Sequence, residues 1–280
     1  MLLLLFQSGI SQITMPDTLM NRFADSTDAA HWHNVNEGDY IFFQCNIDNG
    51  RSIYAGGTVF TLSLPLGKKI LIWRGDYRRI LIDGKNCDND SLNPTIVTNL
   101  GGQVKWVYSE AANPHRGFDL YNFDYLYFSG KYDPAQQTGH TDFRGHEGGD
   151  AFDTGDYYTR YGFWGNLRWS GTRFNNTFIN IVRISGFKSM KMDYIAATEG
   201  GFSGFNIKSD NPSVPEKVKM DIQDCFAGWM ESEGYYLGYS GAAANQDLTK
   251  LIFRNNIAAF CGSESFQTDN LIAGTAIENN

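Results

Sequence analysis

Apolar residues in this chain return in register about every thirty positions from residue 120 onward. Phe123, Leu126 and Phe128 are followed by Phe187, Met190 and Met192, then by Val218 and Met220, then by Leu248, Leu251 and Phe253, and last by Ile277. A second register trails the first: Gly204-Phe205-x-Ile207 returns as Gly234-Tyr235-x-Leu237 and, more loosely, as Ser265-Phe266-x-Thr268. Asn255-Asn256 returns as Asn279-Asn280. A return of roughly 20–50 residues marks an array in which each unit buries its apolar side against the next. Such an array has a long open flank, where an extended ligand fits.

The units are β and not α. Runs such as Val59-Phe60-Thr61-Leu62-Ser63-Leu64, Lys69 to Trp73, Arg79 to Ile82 and Thr95 to Thr98 are short, β-rich and bounded by Gly, Asn and Asp turns, the mark of strands. No helical period runs through them, which excludes ankyrin and tetratricopeptide units. Leucine-rich repeats would need a regular leucine and asparagine consensus, and a propeller blade would need about forty residues. A coil of two or three short strands fits a thirty-residue return, and makes the fold an all-β parallel β-helix, a solenoid. Stacking sets like positions about 4.8 Å apart, so Phe128, Met192, Met220, Phe253 and Ile277 should form one core column. Turn asparagines should form a hydrogen-bonded ladder.

Lys69-Ile-Leu-Ile-Trp-Arg-Gly-Asp-Tyr-Arg-Arg-Ile-Leu-Ile-Asp-Gly resembles the opening of bacterial secreted right-handed parallel β-helix proteins of the pectin-lyase-like superfamily. Glu233-Gly234-Tyr235-Tyr236-Leu237-Gly238 and Phe253-Arg254-Asn255-Asn256-Ile257 look like the later coils of such proteins, and the resemblance covers about residues 66–280. It implies a right-handed parallel β-helix. It also implies polysaccharide lyases, hydrolases and epimerases, or non-catalytic adhesins, and among these the fold does not choose.

Met1 to Phe6 is nearly pure leucine, and Gly9 and Ser11 supply the small residues of a cleavage site, so residues 1–11 read as a signal peptide. The protein is then expected to be secreted or held at the cell surface, extracellular or periplasmic. Residues 12–37 are expected to be a flexible linker and 38–280 the β-helix domain. Phe128 and Met192 lie two returns apart, which places a loop insertion at 131–177. The last residues read as a fresh strand with nothing stacked on it, as in a truncated frame. A net charge of −8 without a basic run argues against nucleic acid. Six leading apolar residues are too few to span a bilayer. Cys45, Cys87, Cys225 and Cys261 follow no close metal spacing, and Cys225 and Cys261 sit amid apolar residues, as free buried thiols do. A monomer is expected.

Glu233 and Glu264 hold equivalent places in successive coils, with Ser203 one coil earlier. Stacked carboxylates repel, and this favours a proton on one of them, which suits acid–base work at the spacing of a retaining glycosidase. The same pair would suit Ca2+, which prefers carboxylate and carbonyl oxygens; an acidic residue before glycine is also a common turn element. A lyase needs a base beside a uronate, and Lys208 follows the Gly-aromatic step on a position able to serve. Within the insertion, Tyr157, Tyr158, Tyr161, Trp164 and Trp169 form a dense aromatic set of the kind that stacks on sugar rings or packs a loop. His140, His146, Glu147 and Asp150 match no standard metal spacing, so the metal stays unknown. The function expected is action on an extended polysaccharide, lyase slightly ahead of hydrolase. The alternative is a non-catalytic glycan-binding or adhesin-like β-helix.

Overall fold

The computed structural model describes residues 31–35, 39–43, 60–77, 80–107, 118–130, 162–166, 180–208, 217–238, 247–269, 271 and 274–280. Among them every regular element is a strand. His31–Val35 and Asp39–Phe43 pair as an antiparallel hairpin; every other named pairing is parallel, between strands of successive coils. His31–Val35, inside the stretch read from sequence as a linker, is therefore a strand.

The strands fall into three stacks. The first runs from Asp39–Phe43 and Lys69–Tyr77 through Thr95–Val107, Tyr125–Ser129, Ser189–Asp193, Lys217–Gln223 and Asp247–Arg254 to Thr275–Glu278. The second comprises Phe163–Asn166, Ile195–Thr198, Phe226–Gly228 and Ile257–Ala259. Thr95–Val107 is long enough to belong to both, pairing with Tyr125–Ser129 by its first half and with Phe163–Asn166 by its second. The third stack holds Phe60–Leu64, Ile80–Cys87, Phe118–Tyr121, Val182–Ser185, Phe205–Lys208, Tyr235–Leu237 and Phe266–Thr268. Parallel strands layered coil on coil in this way are compatible with a parallel β-helix or a related solenoid.

Strand alternation explains the interior. In Ser189–Asp193, Met190 and Met192 are buried while Lys191 between them is exposed, the period of two that turns alternate side chains to opposite faces. Across coils this builds two buried columns, Leu126–Met190–Met220–Leu251 and Phe128–Met192–Ile222–Phe253; Ile277 continues the second in register but is 52% exposed, so it is not part of the core. Ile222 thus takes the place the sequence pattern gave to Met220. The neighbouring coils space their apolar residues three and two apart, but Val218, Met220 and Ile222 are two and two apart, because a register shift separates Val218 from Lys219 against the next strand. The trailing register is as read: Phe205–Tyr235–Phe266 and Ile207–Leu237–Thr268 are paired residue for residue.

Aromatic rings tie the three stacks together. Phe118, Phe128 and Phe163 come one from each stack, with centroids 4.6, 4.7 and 5.4 Å apart. Further along, Phe205 stacks on Tyr235 at 4.8 Å, and Tyr235 meets Phe253 edge-on at 4.9 Å. The second stack uses small inward residues instead, Gly165–Ala197–Ala227–Ala258. They let the chain close a narrow corner against Gly204 and Gly234.

The corner between the first and second stacks repeats one conformation. Tyr194, Asp224, Asn255 and Asn279 follow their strands with φ between 51° and 57°, a left-handed position that asparagine and aspartate tolerate best. The next residue carries the asparagine ladder expected from sequence. Asn256, 1% exposed, accepts the Cys225 N–H at 3.0 Å and donates to the Ile222 carbonyl at 2.9 Å. Asn280 repeats this one coil on, accepting the Asn256 N–H at 2.9 Å and donating to the Phe253 carbonyl at 3.0 Å.

Within 131–177 only 162–166 is described, and it is a rung of the second stack. Gly130 and Gly162 approach each other closely. A Cβ on Gly162 would overlap the Gly130 carbonyl, and one on Gly130 would overlap the carbonyl oxygen of Tyr194, so only glycine lets these backbones meet.

Candidate functional site

Ser203, Glu233 and Glu264 stack as read, each at the entry to a third-stack strand. The Ile181 N–H donates to the Ser203 carbonyl, the Gly204 N–H to that of Glu233, and the Gly234 N–H to that of Glu264. Equal backbone places carry unequal side chains. The Ser203 hydroxyl is fully buried and donates to Asn180 Oδ1 at 2.5 Å. Glu233 is 8% exposed, and its Oε2 is buried without a hydrogen-bond partner among the described residues. Glu264 is exposed and accepts a hydrogen bond from the adjacent Ser263 hydroxyl. That bond, helped by a backbone N–H, holds the Glu264 carboxyl below its ordinary range. The carboxylates are therefore adjacent in the stack but differ in kind: one exposed and solvated, one enclosed and unmatched.

Lys208 ends Phe205–Lys208, a strand buried on both faces. Phe205 and Ile207 belong to the core, so Asn206 and Lys208 lie on the outer face. Register sets Asp119, Arg183, Asn206, Tyr236 and Gln267 in one outward row, with Tyr121, Ser185 and Lys208 in the next. The Lys208 Nζ sits 3.4 Å from the centroid of the Tyr236 ring, a close cation–π contact. Two coils away the Arg183 guanidinium lies 5.8 Å from the Tyr121 ring, whose hydroxyl donates to Asp119 Oδ2 at 3.1 Å. Asp119, Asn206 and Lys208 are 1%, 7% and 7% exposed although they point away from the core. This face is thus a row of cations, amides and aromatic rings in which Asp119, Ser185, Asn206 and Lys208 are buried and Tyr121, Arg183, Tyr236 and Gln267 are half-buried.

Glu233 and Lys208 bracket that row and do not meet. Register aligns Lys208 with Gly238, five residues beyond Glu233 and at the opposite end of the strand Tyr235–Leu237. Of the aromatic set, Tyr157, Tyr158, Tyr161 and Trp169 lie outside the described residues, as do His140, His146, Glu147 and Asp150. Trp164 is in the strand Phe163–Asn166, in register with Lys105 and Ala196. Among the described residues no group of three His, Cys, Asp or Glu side chains could hold a metal ion, and no helix is long and apolar enough to cross a membrane.

Two networks escaped the sequence reading. One is the Asp119–Tyr121–Arg183 set above. The other is Asp193, 7% exposed, which accepts from Tyr127 Oη at 2.7 Å and from Ser129 Oγ at 2.5 Å across one coil step. Burial first, and the Asp193 charge second, push the Tyr127 phenol above its ordinary value. Neither has a sequence motif, because Arg183 is brought to Tyr121, and Asp193 to Tyr127 and Ser129, only once the register is fixed. Comparison with protein-family models, with curated proteins and with solved structures found no match.

Proposed function

We propose that this protein is a secreted or cell-surface right-handed parallel β-helix, of the pectin-lyase-like kind, that acts on an extended polysaccharide. The observation that carries the reading is the outer row of the third stack. Lys208 against Tyr236 and Arg183 against Tyr121 set cations beside aromatic faces at coil-spaced intervals, a pattern suited to successive sugars of a chain. A uronate chain is the fitting substrate, since its carboxylates need neutralising cations and its rings need flat apolar partners. In the lyase form Lys208 takes the proton α to a uronate carboxylate. The electron pair forms the C4–C5 double bond, and the C4–O bond breaks as the leaving sugar oxygen takes up a proton.

Glu233 and Lys208 lie at opposite ends of the strand Tyr235–Leu237, so they are assigned to different reactions. Glu233 with Glu264 therefore belongs to the hydrolase form, in which a carboxyl acid and a carboxylate about 5 Å apart flank the bond. The lyase form is slightly favoured because Lys208 stands inside the aromatic row, against Tyr236, whereas Glu233 precedes the strand that carries it.

The test is a product screen of the full chain against polyuronates, glycosaminoglycans and neutral glycans. New ultraviolet absorbance from an unsaturated uronate, lost in Lys208→Ala, supports the lyase; new reducing ends without absorbance, lost in Glu233→Gln, support the hydrolase. Binding with neither product removes the enzyme reading and leaves a glycan-binding β-helix.

A further inference from the structure

On a different flank, the outer face of the first stack carries a groove of about 320 Å³. Its floor is two outward rows, Tyr125–Ser189–Lys219–Lys250 and Tyr127–Lys191–Asp221–Ile252. One end is walled by Ser91 and Pro94. That wall is well held. Asp90 Oδ1 accepts the Leu92 and Asn93 N–H groups at 2.8 and 2.7 Å, and Asn89 pins the segment to the sheet by accepting the Tyr125 N–H at 2.9 Å.

The charge on this floor runs against the rest of the chain. Lys191, Lys219 and Lys250 are all exposed, in a protein of net charge −8. Lys219 and Lys250 are direct register neighbours, about 4.8 Å apart along the stack, where like charges repel. None of the three makes an ion pair with a described residue, whereas nearby Lys188 is neutralised by Asp124 at 2.7 Å. Asp221, the single acid on the floor, is engaged by Gln223 Nε2 at 2.5 Å. The Lys191 Nζ lies 4.6 Å from the centroid of the Tyr127 ring. Tyr125 and Tyr127 thus offer aromatic surface beside three lysines that make no ion pair with a described residue, Lys191 having Asp221 as its register neighbour.

We infer that this groove is a binding site for an anionic sugar chain, laid across the coils with its acidic groups on Lys191, Lys219 and Lys250 and its rings against Tyr125 and Tyr127. Charge selects the chain and the tyrosines select a sugar over a bare polyanion. The site is separate from the third-stack row. It holds the ligand without cutting it, so it stands or falls apart from the enzyme reading.

The experiment is isothermal titration of the full chain with polygalacturonate (carboxylate), dextran sulfate (sulfate) and neutral dextran. Binding to one or both charged polymers and not to neutral dextran is expected. The Lys191→Gln/Lys219→Gln/Lys250→Gln variant should weaken it about tenfold or more and flatten its salt dependence. Asp221→Asn should tighten it, which covers the case of a triple variant that folds poorly. Equal affinity for neutral dextran, no binding to either charged polymer, or binding indifferent to both the lysines and Asp221 overturns the site. Product formation is read in the same samples. Lysine-dependent binding without product sinks only the enzyme reading, and product with lysine-independent binding sinks only this site.

Discussion

Asn256 Oδ1 accepts the backbone N–H of Cys225 at 3.0 Å, so a side chain from one coil completes the turn of the coil before it. Its Nδ2 closes the other half by donating to the Ile222 carbonyl. Asn256→Ala leaves both backbone groups buried and unmet, and each such group costs about 1–3 kcal/mol. Urea unfolding should show a loss of at least about 2 kcal/mol, with Asn256→Asp no rescue because it lacks the donor. The column also makes a converse prediction. Cys225 is in register with Asn256 and Ile195, so Cys225→Asn would extend the ladder, reaching the Ile195 N–H and the Met192 carbonyl. Stability equal to or above the wild type is expected, although an amide replaces a buried thiol. A drop as large as that of Asn256→Ala would show that the ladder does not set the turn.

Phe163 is the only ring of the Phe118–Phe128–Phe163 cluster contributed by the second stack. It is fully buried. Phe163→Ala should cost about 3–5 kcal/mol, the range for a large aromatic removed from a packed core. Phe163→Leu should recover more than half of that. Thermal melts compare the two directly; a loss below about 1 kcal/mol for alanine would mean that this strand is not packed into the stack.

What the sequence made legible was whatever repeats inward. The third-stack column Phe205–Tyr235–Phe266 could be read residue by residue because these three coils each place an aromatic after a small residue there. The first-stack column was misread by one step at Met220. That coil lacks the extra residue its successor accommodates at the register shift, and in the coil before it Met190 and Met192 stand two positions apart, so Met220 could be matched to either. The second stack went unread, since strands such as Ile257–Ala259 have three residues and bury mainly alanine and glycine. The candidate site was legible only as backbone equivalence. Glu233 and Glu264 do stack, but exposure depends on which coil covers which, and that makes one enclosed and the other solvated. Outward rows pair residues tens of positions apart and carry no period of their own.

The cysteines give a pH-dependent expectation. Burial pushes the Cys87 thiol up from 9.0 to about 12, and raises the fully buried Cys225 as well. A thiol whose pKa is higher folded than unfolded stabilises the fold fully below the unfolded value, and that contribution is lost as pH rises through the folded value. For Cys87 the window is about pH 9 to 12. In a Cys45→Ser background, Cys87 and Cys225 should resist a thiolate-directed label at pH 8 until urea unfolds the chain. Unfolding midpoints should fall between pH 9 and 12, and fall less in Cys87→Ser. Rapid labelling of Cys225 in the folded protein would contradict its place in the core.

Glu233 separates a turn residue from a working one. Its Oε2 is buried without a partner among the described residues, which costs a fold about 1–3 kcal/mol, and Ser203 fills the same place one coil earlier with its hydroxyl satisfied. If the carboxylate is kept for chemistry, removing it should stabilise the protein at the expense of function. Glu233→Ser and Glu233→Gln are therefore expected to raise stability by about 1 kcal/mol in urea or heat, and to abolish hydrolytic product where the wild type makes any. A structural role in the turn predicts the opposite pair of results, lower stability with product formation intact.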